Sequence, residues 1–450
     1  MWRAILILDI FCYTKSTMLD IKFIRENKDL VSAGAVKKHI EFDVDKLLTL
    51  DDKRRELILS VEKKRAEQNE VSQKIVRVSD KAEKSQMLAE MKMLKEEMQK
   101  EEEKLKTVMH DWQLLMVSVP NIPDISVPDG VDDKDSKEIK VWLARQDGTA
   151  GGGEISKFDF TPKDHIELMQ DLGILDLERG VKVSGFRGYF LVGDGARLSF
   201  AIWQYAMDYF LKKDFTLMLV PSLLKRENLI GSGYIPQGEE DLYKTQDGDY
   251  LSGTAEVATM GYHADEILDK KDLPKKLLSF SPCFRREVGS YGKDVKGLIR
   301  VHEFYKLEQV ILCEASHEQS VKYHEWLNRN TEEFIESLGI PYRTVINCAG
   351  DLGLGQVKKY DIELWVPLEK TYREIGSTSY FHDFQTRRLN IRYRNDDGKM
   401  SYAHSLNSTA IPTPRILVSL VENGQLADGS IKIPEVLQSY MGGQKVISKK

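Results

Sequence analysis

At 450 residues and 51.6 kDa, with 41% hydrophobic residues, the chain is too long for one ordinary core and is expected to form two domains. A formal net charge of -6 excludes the wholesale basic character of a histone-like binder, so any nucleic acid must be held by a local surface. Cys12, Cys283, Cys313 and Cys348 lie far apart, with no Cys-x-x-Cys pair and no histidine cluster, which argues for reduced buried thiols and against a zinc site.

Residues 1–17, MWRAILILDIFCYTKST, carry an apolar run that Asp9 interrupts. It is too short to span a bilayer and no small-residue cleavage site follows, so the segment is read as a disordered extension. Residues 18–125 are expected as a helical domain, 126–440 as a second domain, and 441–450 as a disordered tail. From 44 to 117 there is no Pro and no Gly, and Glu, Lys, Leu, Met and Gln dominate. Positions 91, 94, 98, 101, 105, 108, 112 and 115 form a heptad seam with one polar break at Glu101. A weaker seam through Leu47, Leu50, Leu57, Val61, Val71 and Ile75 is broken by Arg54, Lys64 and Gln68. Between them 77–85 lacks large apolar residues and reads as the turn of an antiparallel coiled-coil arm. Composition alone favours a dimerisation coiled coil or a plain helical hairpin over an RNA-binding arm. Its basic residues, Arg54, Arg55 and Lys64 among them, gather on the first helix, while Glu96, Glu97 and Glu101 to Glu103 load the second.

Pro120, Pro123 and Pro128 end the helices and make a linker, followed by a glycine-rich flexible stretch at 148–153. An amphipathic helix over 195–211 leads into a strand at 215–220 that stops at Pro221. Thr254 and Glu256, in YLSGTAEV, lie two apart in extended chain and point to one side. Thr254 equally suits the N-cap of a helix running to Ile267. Residues 277–283 and 301–311 read as a hairpin. Arg285 and Glu287 leave its first strand on one face, and Glu303, Lys306 and Glu308 enter the second. A guanidinium beside a carboxylate suits a triphosphate with its magnesium ion, and it also suits a plain surface ion pair. A helix at 317–338 and a strand at 360–367 follow. Glu374 then sits between an aromatic run and small residues. Last, Pro412 and Pro414 place Arg415 at a helix N-terminus, where backbone N–H groups favour phosphate.

These stretches together resemble the class II aminoacyl-tRNA synthetases. The Phe-Arg-x-Glu strand with the loop GSYGKDVKGLIRVHEF is similar to motif 2 of the seryl-tRNA synthetases. The helix, strand and Pro221 resemble motif 1, the Arg415 helix motif 3, and the arm the family's N-terminal domain. The resemblance implies an α+β fold: an antiparallel sheet of six to seven strands with flanking helices, preceded by the two-helix arm. It implies activation of L-serine with ATP to the adenylate, then transfer to tRNA(Ser), with tRNA(Sec) a further acceptor in the family, by a cytoplasmic homodimer with no membrane or DNA partner.

By the same resemblance the catalytic groups are Arg285, Glu374 and Arg415. ATP is held by Arg285, Arg286, Glu287, Val301, Phe304, Glu374, Ile375, Gly376, Ser377 and Arg415, with Mg2+ on Glu374. Serine is held by Thr254, Ala255, Glu256, Arg285, Glu308 and Thr409, and tRNA by Arg54, Arg55 and Lys64. The chain departs from the family pattern at Arg286, Val288, Ser408-Thr409, Pro412 and Pro414. The rival readings are a paralogue that charges a carrier protein and a non-enzymatic RNA-binding coiled-coil protein.

Overall fold

The computed structural model describes residues 20–143, 155, 158–289, 294 and 296–449. They form two compact units, residues 20–36 with 40–120 and residues 37–39 with 121–449. The expected extension at 1–17, the glycine-rich stretch at 148–153 and most of the loop at 290–295 lie outside the described residues.

In the helical unit, α1 (Ile21–Glu26) and α2 (Lys28–Lys37) precede two long helices, α3 (Val44–Arg77) and α4 (Lys81–Met116). With 34 and 36 residues each long helix extends roughly 50 Å at about 1.5 Å per residue. The turn is tighter than the residues 77–85 expected. Asp80 accepts hydrogen bonds from the Ala82 and Glu83 amides, so helix resumes as soon as the chain has reversed. The seams face each other, burying Leu47, Val61 and Ile75 on α3 and Val108, Trp112 and Met116 on α4. Their polar breaks are matched across the pair. Arg54 stacks on Trp112 at 4.5 Å, and Lys64 Nζ reaches Glu97 and Glu101, both at 3.1 Å. Glu101, the break in the second seam, also accepts from Ser60 Oγ at 2.7 Å.

The larger unit is built on β1 (Lys137–Trp142), β2 (Thr216–Leu219), β3 (Lys275–Phe284), β4 (Glu303–Cys313), β5 (Tyr342–Ile346), β6 (Lys358–Val366), β7 (Thr371–His382) and β8 (His404–Thr413). They form one sheet in the order β1-β5-β6-β7-β8-β4-β3-β2, antiparallel except for the outer β2–β3 pair. Eight strands exceed the six to seven expected. The extra edge strand β1, KEIKVW, buries only Trp142 and therefore lacks a readable apolar alternation. Both faces of the central strands are covered, which is why β4 is buried from Lys306 to Cys313. On one face, α5 (His165–Asp171) precedes α6 (Asp194–Leu211), whose Tyr205 stacks on Phe334 of α9 (His317–Ser337) with ring centroids 5.3 Å apart. Around the β3–β4 mouth sit α7 (Arg226–Ser232), α8 (Ala255–Gly261), α10 (Phe384–Arg388) and α11 (Arg415–Asn423).

Three expectations change. The helix capped by Thr254 ends at Gly261 instead of running to Ile267, which lies in a short strand pairing with Arg392. Pro412 lies within β8, opposite Lys306 and just past a register shift between Thr409 and Ile411. A bulge is where a strand tolerates proline. The tail expected to be disordered is ordered through Lys449: Val446–Ile447 pairs with Ile431–Lys432, and Ile447 is buried. Its two apolar residues, flanked by lysines and glycines, are enough to dock it. Cys283, Cys313 and Cys348 are buried and unbridged, and Cys12 lies outside the described residues.

Candidate functional site

The hairpin β3–β4, the bulged middle of β7 and the β8–α11 junction open onto one cleft. It is lined by Arg285, Glu287, Val301, Phe304, Glu374, Ile375, Gly376, Ser377, Thr409 and Arg415, joined by Lys306. Every residue expected to hold nucleotide is therefore there except Arg286. That side chain is exposed and turns away to donate to the Glu240 carbonyl at 3.0 Å. β7 presents Glu374 through Ser377 because it ends a long, strongly patterned hairpin with β6, whose register shifts between Ile362 and Glu363. Pro414 precedes α11, so Arg415 is the first helical residue, at the sheet's open end.

Two guanidiniums dominate the charge of the cleft. Arg285 Nε donates to the Gly253 carbonyl at 3.3 Å, and its guanidinium lies 5.3 Å from the centre of the Phe304 ring. Burial opposes its charge, yet Tyr234, Cys283, Glu287 and Glu374 outweigh burial and hold it protonated. Arg415 donates to the carbonyls of Ile299 at 2.9 Å and Glu374 at 3.0 Å. Burial lowers its pKa, with Glu374 opposing and Arg285 and Arg300 adding to the fall. Among the described residues no carboxylate is hydrogen-bonded to Arg415. Glu374 is exposed to the cleft, and its carboxylate has no described hydrogen-bond partner. Glu287, by contrast, pairs with Arg300 at 3.0 Å, which also reaches Asp294 at 2.9 Å.

The residues expected to hold serine sit at the inner end. Thr254 caps α8, accepting from the Glu256 amide at 3.3 Å. Ala255 is fully buried. Glu308 pairs across the sheet with Thr409, and its carboxylate takes the Lys306 ammonium at 2.6 Å, both groups being buried. Burial pushes Glu308 up against the pull of Lys306. Glu256 is raised to about 6, by burial first and then by Glu308. Gly376 lies against Thr409: a methyl at 376 would stand 2.5 Å from the Thr409 Cβ and 2.8 Å from its Cγ2. A side chain there is excluded by close packing.

On the arm the three expected RNA contacts differ. Arg54 is bound to Asp51 at 2.8 Å and Trp112, and Lys64 to two glutamates. Arg55 is exposed, with no ion pair among the described residues. A cavity of about 620 Å³ lies on the α6 side of the larger unit. Phe186, Phe190, Phe200, Trp203 and Phe280 make it apolar, and it holds none of the predicted site residues.

Comparison with known proteins agrees with this geometry. The family model described as the tRNA synthetase class II core domain (G, H, P, S and T) matches residues 243–424, and that of the seryl-tRNA synthetase N-terminal domain matches 18–123. The serine–tRNA ligase of Deinococcus radiodurans is 42% identical over 96% of this chain and 99% of its own. That of Nitrosopumilus maritimus is 40% identical over 96% of this chain and 100% of its own. The chain belongs to the seryl-tRNA synthetases. Among solved members of the family, the Pyrococcus horikoshii enzyme complexed with ATP superimposes with a TM-score of 0.84 at 38% identity, covering 96% of this chain and all of that one. The Naegleria fowleri cytoplasmic enzyme in complex with AMP gives 0.81 at 32%, covering 97% and 100%.

As a seryl-tRNA synthetase the chain is a class II ligase of serine and tRNA, and neither rival reading finds support. Several polar groups beside the expected ones had no role assigned from the sequence. Lys306 stood out on the second hairpin strand but had no role until its pairing with Glu308 was seen. Gln385 and Asn407, both hydrogen-bonded to Glu256, gave no signal, because their partner is more than a hundred residues away.

Proposed function

We propose that serine and ATP meet in the cleft between Arg285 and Arg415, with the residue roles expected above. The observation that carries this is Arg415. It is a largely buried cation whose hydrogen bonds go to two carbonyls, leaving its charge for a ligand. Attack of the serine carboxylate on the α-phosphorus brings anion to anion, so the barrier falls where cations are fixed beforehand. Arg285 serves both reactants, orienting the serine carboxylate and meeting the α-phosphate, while Phe304 and Val301 border the adenine. Glu374 and Ser377 offer the hard oxygen donors that Mg2+ prefers, and Mg2+ needs only one or two such groups when phosphates supply the rest. When bound, the ion adds positive charge against the phosphates. Inside, Glu256 and Glu308 face the serine ammonium, and Glu308 with Thr409 takes the hydroxyl. Alanine and glycine would leave those polar groups unmatched. Threonine is excluded by the volume that Thr409 fills.

The domain at 18–125 binds the tRNA, with Arg55 the most available of the three predicted cations. By family resemblance the protein works in the cytoplasm. A second copy of the chain covers the large apolar cavity, beside which Phe186 and Phe200 are 53% and 68% exposed. Sedimentation should give twice the 51.6 kDa chain mass, and a monomer would overturn that assignment. Pyrophosphate–ATP exchange with each of the twenty amino acids tests the cleft. Exchange with serine alone is expected. Exchange with another amino acid would overturn the pocket, and no exchange would overturn the cleft. Charging of tRNA(Ser) and tRNA(Sec) transcripts then decides the acceptors.

A further inference from the structure

Gln385 lies on α10, behind the cleft, and is 1% exposed. Its amide is fully committed. Nε2 donates to Glu256 Oε1 at 2.6 Å and to the Ser232 carbonyl at 3.0 Å, and Oε1 accepts from Ser405 Oγ at 2.7 Å. A carbonyl and a carboxylate on one side and a hydroxyl donor on the other fix which end of the amide is nitrogen. The three partners belong to α7, α8 and β8, so one side chain ties together three elements around the inner pocket.

Glu256 depends on such a tie. It sits in the first turn of a seven-residue helix, beside a second carboxylate, Glu308. The nearest ammonium, Lys306 on β4, is taken by Glu308 at 2.6 Å. Ionisation of Glu256 therefore rests first on a neutral donor, Gln385 from α10, helped by the charge of Lys306 and by Asn407 from β8. These four groups are the titratable and polar neighbours that act on it, two lowering its proton affinity as donors, Lys306 lowering it by charge, and Glu308 raising it.

We propose that Gln385 is a positioning residue for serine: by donating to Glu256 it holds that carboxylate ionised and oriented toward the substrate ammonium, and so sets serine affinity. The inference rests on the reading above that Glu256 faces the ammonium. A glutamine suits this task better than a cation would, because a lysine or arginine at 385 would neutralise the charge that the ammonium needs.

The test is serine-dependent pyrophosphate–ATP exchange at saturating ATP between pH 6 and pH 8.5, for the parent, Gln385→Met and Ser405→Ala, with Glu256→Gln as the reference. Gln385→Met should raise the serine KM roughly tenfold at pH 6.5, the lower end of what a lost hydrogen bond to a charged group costs. The rise should shrink toward pH 8 as Glu256 ionises without its donor, and the KM for ATP should stay within about twofold, since Gln385 touches none of the nucleotide groups. Ser405→Ala, a small change that only frees the far side of the amide, should give a rise of roughly threefold with the same pH trend. If both variants keep the parent's serine KM at every pH while Glu256→Gln raises it, the positioning role falls and the pocket reading stands. If Glu256→Gln leaves serine KM unchanged, the pocket reading itself falls.

Discussion

Lys38, between α2 and α3, is 2% exposed, and its ammonium sits in a ring of three carbonyls. Nζ donates to Gly353 O at 3.1 Å, Leu354 O at 3.0 Å and Gln356 O at 2.6 Å. Replacing it with methionine keeps most of the stem and removes the donors. Two of the carbonyls keep another partner: Gly353 O takes the Gln356 amide at 3.2 Å and Leu354 O the Asn121 amide at 2.8 Å. The Gln356 carbonyl is the group left exposed to loss, so Lys38→Met should cost about 1–3 kcal/mol at pH 7. A second effect depends on pH. Burial pulls Lys38 from its ordinary 10.5 down to about 7. Between those values the unfolded chain binds more protons than the folded one, so folding gains stability as pH rises through this window. Below about pH 7 both states carry the proton and the contribution is constant. Linkage over two pH units, from 7 to 9, gives the parent about 2 kcal/mol that the methionine variant lacks. Urea denaturation at fixed protein concentration, at pH 7, 8 and 9, measures it. Parallel pH slopes for parent and variant would refute the reasoning, since the amine would then not titrate inside its cage.

Arg415→Met should lower the serine-dependent exchange rate by roughly 10²- to 10³-fold, the range for losing one fixed transition-state donor, with folding unchanged by circular dichroism. Asp51 is 2% exposed between Arg25 and Arg54, and because Arg25 keeps Asp52 and both arginines reach solvent, Asp51→Ala should destabilise the helical unit by about 1–3 kcal/mol in its thermal melt. The exchange rate, which depends on the other unit, should stay at the parent level. Arg55→Glu should weaken tRNA binding and reduce the slope of log affinity against log salt by roughly one, leaving the melt untouched. Arg54→Glu should lower the melting temperature as well, because it breaks the Trp112 and Asp51 contacts.

Local patterns in the sequence carried much of this architecture, and long-range pairings carried the rest. The β3–β4 hairpin was readable because apolar alternation and a glycine loop are properties of neighbouring residues. The arm was readable for the same reason, its seams being written in steps of three and four. What the breaks in those seams do was not: Arg54 and Trp112, or Lys64 and Glu101, meet only once the helices have folded back on each other. The edge strand β1 and the docked Val446–Ile447 were missed because a strand of two to six residues with one buried face leaves almost no pattern. In the cleft, Arg285, Glu374 and Arg415 could be named because each sits in a short contiguous motif that carries the family resemblance. The network around Glu256 could not, since Ser232, Gln385, Ser405 and Asn407 meet it through tertiary packing alone.

The close approach of position 376 to Thr409 constrains how the chain can change over generations. An alanine at 376 collides first with the Thr409 Cβ at 2.5 Å, an atom that a serine at 409 keeps, so losing the Cγ2 methyl relieves only the second contact, at 2.8 Å. A bulkier residue at 376 therefore becomes accessible only where 409 has lost its side chain altogether, and the hydroxyl at 409 goes with it. Gly376→Ala is expected to be harmful alone and nearly as harmful in the Thr409→Ser background, so that a double-mutant cycle shows little relief.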